Sequence, residues 1–491
     1  MDINLLDIPI YYINLSDCVN RNKHMVDLFN KYNIKNYQRF DASDYRKLNI
    51  NYINHKHPDI WFRKQNINVR IGEYAIFTSH ILCIKKFLEQ SDKDMCFIFE
   101  DDINFSFSEY YSDYFSNYIK KIPENADIVQ LQFHLSENQF NRVLNPNIIQ
   151  HNKYSNNFTG AAAYIIKRSY ALKIINDINF LGTNNIDFSN INYAPVFDWY
   201  IYKFTDNKYS IPLISINCNY DSSINKMGEE FEHISNKYIL SRWEEIYMKN
   251  VNKLKNIPKI FYINRDIDKV RNNYMIEQFK RFKITNYQRI SASTPNNVIF
   301  FRKIKNDFIS ERNNDTNVKE YCVLISHIKC LIEAKRQNLK NIIIMEDDCS
   351  FSFINYYKNS FNEYINKCPE YNFIRLICQG WNTVYTLKNI KYTKEMDDSW
   401  RSNACYLITD KGIQNVLNKI KITNNVYDFR YFDDTIIADI CIPRLSDNVY
   451  NIPLFTLNLT TTKNSTIHPN ESWTSSYIKE QKYIEKLWIN N

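Results

Sequence analysis

The stretch Met95-Cys96-Phe97-Ile98-Phe99-Glu100-Asp101-Asp102 is an apolar run that ends in adjacent acids, with Phe105-Ser106-Phe107 just beyond. Ile342-Ile343-Ile344-Met345-Glu346-Asp347-Asp348 repeats it, and Phe351-Ser352-Phe353 follows. A short unbroken run of aliphatic and aromatic residues reads as a strand buried on both faces. The acids then mark the carboxyl end of that strand, where ligands sit in open α/β sheets. Carboxylates bunched there repel one another unless a cation or hydrogen-bond donors neutralise them.

Working outward, the repeat extends over half the chain. Ile8-Pro9-Ile10-Tyr11-Tyr12-Ile13-Asn14 returns as Ile257-Pro258-Lys259-Ile260-Phe261-Tyr262-Ile263-Asn264, Arg21 as Arg271, and Asn36-Tyr37-Gln38-Arg39 as Asn286-Tyr287-Gln288-Arg289. Glu73-Tyr74 and Ser79-His80 return as Glu320-Tyr321 and Ser326-His327. Beyond the acids, Ala162-Ala163-Tyr164 answers Ala404-Cys405-Tyr406, Phe197-Asp198 answers Phe432-Asp433, and Ser222-Ser223-Ile224 answers Ser465-Thr466-Ile467. The order is kept, so the chain reads as a tandem duplication, 1–250 and 251–491, each half closing on an amphipathic helix (Tyr238 to Lys249; Tyr477 to Trp488). Within the first half, a strand over 9–15 precedes a helix with Met25, Leu28 and Phe29 on one face. Residues 72–90 form a second helix, with Ile76, Ile81, Ile84 and Phe87 or Leu88 facing a core. Strand, helix, helix, strand predicts an α/β fold around a mostly parallel sheet.

Composition narrows the class. The 491 residues are 44% hydrophobic and 24% charged, which suits a globular chain of two domains. Gly numbers only 6, against 37 Tyr and 31 Phe, a bias toward AT-rich codons that points to an AT-rich viral or protist genome. The net charge of +8 is diffuse, with no basic block or nucleic-acid motif, so nucleic-acid binding is not expected. The 11 Cys show no metal spacing, as expected of reduced thiols in a cytoplasmic protein. No signal peptide is evident at the N-terminus, and no apolar stretch approaches the roughly 20 residues of a membrane span.

Several constellations carry chemistry, each beside a plainer alternative. The acid clusters suit a divalent cation bridging the diphosphate of a nucleotide-activated donor, with Asp102 and Asp348 as direct ligands. Glu100 lies two residues earlier on the same strand face, and Asp101 completes the cluster, as Glu346 and Asp347 do in the copy. A solvated strand end is the alternative for one cluster; two copies in register favour the cation. Asn14 with Arg21, and Asn264 with Arg271, suit a nucleotide or phosphate, or else a cap and a surface charge. Ser79, His80 and His327 sit mid-helix, where a histidine either contacts the donor or is a satisfied buried side chain. Asp198 and Asp433 offer a carboxylate base to an acceptor hydroxyl, or cap a helix. Gly160, in a run of small residues, lets a sugar approach the backbone or simply makes a turn.

Taken together, Ile13-Asn14-Leu15 with Arg21, Gly72 to His80, Glu100-Asp101-Asp102, Gly160 to Tyr164, Pro195-Val196-Phe197-Asp198 and Ser222-Ser223-Ile224 resemble glycosyltransferase family 25, the lipooligosaccharide and procollagen galactosyltransferases. The second half resembles it at Asn264, Arg271, Glu320, His327, Glu346 to Asp348, Tyr406, Asp433 and Ser465-Thr466-Ile467. The resemblance implies two tandem GT-A-like, Rossmann-like domains, Mn²⁺ or another divalent cation, and a UDP-sugar donor. It implies inverting transfer of galactose or glucose to a glycan or to hydroxylysine of a collagen-like protein. The first half keeps Gly72, Gly160 and Pro195 and is expected to be catalytic. The second has Lys319 and Ser402 at the first two of these places and is expected to be accessory, degenerate or specific for another sugar. The alternative function is a catalytically inactive carbohydrate- or protein-binding module derived from such an enzyme.

Overall fold

The computed structural model describes residues 6–44, 67–111, 113–143, 149–151, 159–182, 185–188, 195–217, 226–301, 314–380, 383–395, 399–430, 432, 434–458 and 471–490. It divides into two compact units, Met1–Tyr247 and Met248–Asn491. Among the described residues no helix is long and apolar enough to cross a membrane, and no disulfide joins the described cysteines.

In the first unit the sheet strands are β1 (Ile10–Asn14), β2 (Tyr37–Asp41), β3 (Met95–Glu100), β4 (Ile128–Gln130), β5 (Ile149–His151), β6 (Ala163–Lys167) and β7 (Lys208–Ser210). Their order across the sheet is β2-β1-β3-β6-β4-β7-β5. Ladders β1–β2, β1–β3 and β4–β7 are parallel, whereas β6 runs against both β3 and β4 and β5 runs against β7. Most strands therefore share one direction, as the alternating pattern predicts, with β6 and the edge strand β5 reversed.

The apolar run of β3 serves both faces of the sheet. Phe97 and Phe99 join one core with Ile10 and Tyr12 of β1 and with Met25, Leu28 and Phe29 of helix α1 (Val19–Lys31). Cys96 and Ile98 join the opposite core with Tyr11 and Ile13 and with Phe77, Ile81, Ile84 and Phe87 of helix α2 (Ile67–Gln90). Phe77, not Ile76, is the fully buried residue in the second turn of that face. A short helix α3 (Phe197–Tyr200) lies between β6 and β7, and α4 (Lys226–Lys253) is longer than the amphipathic stretch predicted for it. Its buried Trp243 donates its indole N–H to the carbonyl of Pro212 at 2.8 Å.

The second unit repeats this plan. Its strands β8 (Lys259–Asn264), β9 (Tyr287–Ser291), β10 (Asn341–Glu346), β11 (Phe373–Arg375), β12 (Thr393–Lys394), β13 (Cys405–Thr409) and β14 (Val449–Asn451) take the order β9-β8-β10-β13-β11-β14-β12. Helices α5 (Lys269–Arg281), α6 (Asn314–Arg336), α7 (Ala438–Ser446) and α8 (Glu471–Asn490) stand where α1, α2, α3 and α4 stand in the first unit. Trp488 of α8 donates to the carbonyl of Pro453 at 3.0 Å, matching Trp243.

Candidate active site

The site of the first unit forms at the carboxyl ends of β1 and β3. Asn14, the last residue of β1, donates from Nδ2 to Oδ2 of Asp101 at 2.7 Å. Arg21 on the first turn of α1 donates to Oδ1 of the same carboxylate at 2.9 Å, and Arg39 on β2 donates to Oδ1 of Asn14 at 2.8 Å. Asp101 is thus a latch tying β1, α1 and β3 together, and its oxygens are occupied. The second unit copies the latch: Asn264 to Asp347 at 2.7 Å, Arg271 to Asp347 at 2.8 Å, Arg289 to Asn264 at 2.9 Å. Asp101 and Asp347 therefore hold the fold of the site together. Asp101→Ala leaves buried donors without an acceptor and is expected to lower unfolding stability by about 3 kcal/mol. Chemical denaturation checks this, and a variant as stable as wild type would rule the latch out.

Asp102 differs from its neighbour. Its Oδ2 is 3.2 Å from Arg21, but its Oδ1 is buried with no hydrogen-bond partner. Oδ1 of Asp348 is buried and unpartnered in the same way. Burial and the charge of Glu100 raise the Asp102 pKa to about 7, Arg21 pulling against them. Glu100 is likewise raised to about 7, by burial and then by Asp101. Asp348 is raised to about 7 by burial and by Glu346. Two more acids belong to the first site. Glu73 on α2 is raised to about 8 by burial, Asp198 and Glu100. Asp198 is raised to about 6 by burial and Glu100, while the Gly160 N–H lowers it.

His80 is buried, and burial pushes its pKa down to about 3, so its ring is neutral. Its Nε2 is 3.2 Å from Glu100 and its Nδ1 is 3.1 Å from the Tyr164 hydroxyl. The contact with Glu100 is then a hydrogen bond, not an ion pair. A neutral ring that accepts from Tyr164 at Nδ1 donates from Nε2 to Glu100, so His80 orients that carboxylate. His327 sits between Glu346 at 3.2 Å and Tyr406 at 3.1 Å in the same way. Ser79 donates to the carbonyl of Ala75 at 2.7 Å and accepts the N–H of Ser43 at 2.8 Å. The polar atoms of Ser79, His80 and His327 are thus engaged inside the fold, where they hold Glu100, Glu346 and the start of the loop after β2.

Asp198 lies in the first turn of α3, with Val196 at the N-cap. It is not a cap; its Oδ2 accepts the N–H of Gly160 at 2.7 Å. Gly160 has φ +109, and a side chain there would meet Gln132 at 3.0 Å and His134 at 3.2 Å, so the bare backbone is required. Asp433 lies outside the described residues, as do Ser222 to Ile224 and Ser465 to Ile467. In the second unit a contact of the same kind is made by Asp439, in the first turn of α7. Its Oδ1 accepts the N–H of Asn403 at 2.8 Å, next to Ser402, whose φ is 78. Burial and Glu346 raise its pKa, as burial and Glu100 raise that of Asp198. Glu73, Arg39 and Tyr164 were legible only as repeated residues; nothing flanking Asp439 resembles the Asp198 segment.

Beside these acids the second unit has a cleft of about 530 Å³, lined among others by Asn264, Arg271, Ser293, Lys319, His327 and Glu346. That size suits a nucleotide or other small ligand. Among the described residues no three His, Cys, Asp or Glu side chains gather to hold a metal on their own. The donor set fits a hard cation that takes one protein carboxylate and completes its shell with phosphate and water. Asp102 Oδ1 in one unit and Asp348 Oδ1 in the other are the free oxygens for it.

A sheet of this order, with acids at the carboxyl ends of its parallel strands, defines a Rossmann-like α/β class of fold. Residues 7–189 match the family described as glycosyltransferase family 25 (LPS biosynthesis protein). A solved structure titled WbbM bifunctional glycosyltransferase, apo, is similar at 9% identity over 97% of this chain and 92% of that one, with a TM-score of 0.24, too slight to bear on the site. No curated protein matches the chain.

Proposed function

We propose that the first unit transfers a hexose, galactose or glucose, from a UDP-sugar to a hydroxyl of a glycan or of a hydroxylysine-type protein acceptor, with inversion at the anomeric carbon. The observation that carries this reading is the buried, unpartnered Oδ1 of Asp102, beside Glu100, whose charge also reaches Asp198. Asp102 would hold Mn²⁺ or another divalent cation, with Glu100 oriented next to it by His80. When bound, the cation offsets charge on the leaving diphosphate. Arg21, half-buried at the edge of the cluster, adds positive charge on the same side.

Asp198 is the base. With a pKa of about 6 it is largely ionised at neutral pH and still basic enough to accept a proton. The acceptor oxygen bonds to the anomeric carbon, the bond to the diphosphate oxygen breaks, and the acceptor proton passes to Asp198. The Gly160 N–H keeps the carboxylate aimed, and the bare glycine lets Gln132 and His134 pack close behind it. The second unit has the same parts in Asn264, Arg271, Glu346, Asp348 and Asp439, which supports a second site of the same kind.

The test is UDP release from a panel of UDP-sugars with Mn²⁺ and with chelator. Cation-dependent release from a UDP-hexose is expected. A folded protein that releases UDP from no donor would move the reading to a binding module.

A further inference from the structure

The two units share their acids but not the wall behind the glycine that carries the base. In the first unit, chain leaving β4 runs through Gln132 to His134, which bridges antiparallel to Thr159 and so lies beside Gly160. In the second unit, Gln379 makes the same bridge to Arg401, beside Ser402. The two bridges put Gln379 in the place of His134 and Ile377 in the place of Gln132. The paired indole bonds of Trp243 and Trp488 register α4 against α8. A second pair of contacts agrees: Ser235 accepts the N–H of Leu135, and Glu480 accepts that of Gly380. In that register Tyr477 occupies the place of Glu232.

The first wall is polar and incomplete. Gln132 is 2% exposed, and its Oε1 is buried with no hydrogen-bond partner. Its Nε2 is 3.5 Å from Nδ1 of His134, at the outer limit of a hydrogen bond. Burial lowers the His134 pKa to about 4, so this ring is neutral, with one N–H and one lone pair. Its Nε2 is 3.8 Å from Glu232, beyond hydrogen-bond distance. An orphaned carbonyl oxygen needs a donor, and a neutral imidazole beside it can donate in return. A hydroxyl does both; an ammonium group donates only. Gly160 presents no side chain between this wall and Asp198. The second wall offers no such pair. Ile377 is apolar and buried, and the Tyr477 hydroxyl faces the charges of Asp439, Glu480, Asp348 and Glu346.

We propose that Gln132, with His134 and Glu232 beside it, binds a hydroxyl of the hexose handled by the first unit. The second unit, with Ile377, Gln379 and Tyr477 at the matching places, handles a sugar that lacks this hydroxyl or presents it in another direction. The inference rests on the transferase reading and adds to it that the two sites discriminate between sugars. The hydroxyl belongs either to the transferred sugar or to the acceptor sugar.

The experiment compares Gln132 with Gln132→Ile in an Asp348→Ala background, so that turnover reports the first unit. UDP-galactose, UDP-glucose and their deoxy derivatives are assayed for donor hydrolysis alone and for transfer to methyl hexosides. Ile stands at this place in the second unit, so the variant is expected to fold. Gln132→Met, of similar length, serves if it does not. The expected result is a loss of about tenfold to a hundredfold in kcat/KM for the preferred sugar, with no loss for the derivative missing the contacted hydroxyl. Loss already in hydrolysis assigns the hydroxyl to the donor; loss only in transfer assigns it to the acceptor. Equal effects on every sugar, or none, overturn the proposal. No turnover of any donor in that background overturns the transferase reading of the first unit itself, and the proposal with it.

Discussion

Asp102→Ala is expected to cut UDP release by the first unit about a thousandfold, since offsetting charge on a leaving diphosphate is worth several kcal/mol. The fold should survive, because Asp101 and not Asp102 joins Asn14 to Arg21. Stability itself gives a second readout. Asp102 and Glu100 have pKa values raised to about 7, so the folded state holds their protons more tightly than the unfolded chain does. The stability they contribute is fully present below the usual carboxylate range and is lost as pH rises through about 7. A divalent cation takes over from the protons, so Mn²⁺ is expected to raise Tm more at pH 8 than at pH 5, and part of that increment should vanish in Asp102→Ala. Asp348→Ala makes the same test of the second unit, where Asp348 is also raised to about 7. Loss of turnover in Asp102→Ala alone would make the second unit an accessory. Loss of different sugars in the two variants would establish two linked transferases. Full turnover in Asp102→Ala, with an undiminished Mn²⁺ effect on Tm, would end the assignment of the cation to this residue.

Asp198→Asn is expected to lower transfer by about a hundredfold to ten-thousandfold, the range for removing a general base. Asn retains an oxygen that can accept the Gly160 N–H, so the loop it anchors should stay in place. The pH profile separates a base from a structural acid. At saturating Mn²⁺ the wild-type rate should climb as pH rises through about 6, where Asp198 loses its proton. The variant should lack that limb. Asp439→Asn is the equivalent change in the second unit, where the Asn403 N–H is the partner. A variant that kept both the rate and the limb would show that another group takes the proton.

Much of this architecture was legible in the amino-acid order. Apolar runs such as Cys96 to Phe99 make buried strands wherever they occur, and the spacing of Met25, Leu28 and Phe29 makes a helix face without reference to distant residues. Because these signals are local, they repeat wherever the segment repeats. The duplication and the strands that end in acids could therefore be read directly, and residues 7–189 match the family that the motifs resemble.

What each acid does could not. Asp101 and Asp102 are neighbours of one type, yet one meets an asparagine 87 residues away and the other keeps an oxygen unpartnered. His80 looked equally able to face a ligand or the core, and burial between Tyr164 and Glu100 decided it. Asp439 matched nothing in its own neighbourhood; only the packing of its helix sets it opposite Asn403 as Asp198 is set opposite Gly160. The sequence by itself determined the strands and helices and their repetition, since apolar periodicity acts within a few residues. Only the tertiary structure decided which carboxylates are latched, which are free and what lines the sugar-facing wall. Hydrogen bonds and desolvation depend on partners that the chain brings together only once it has folded.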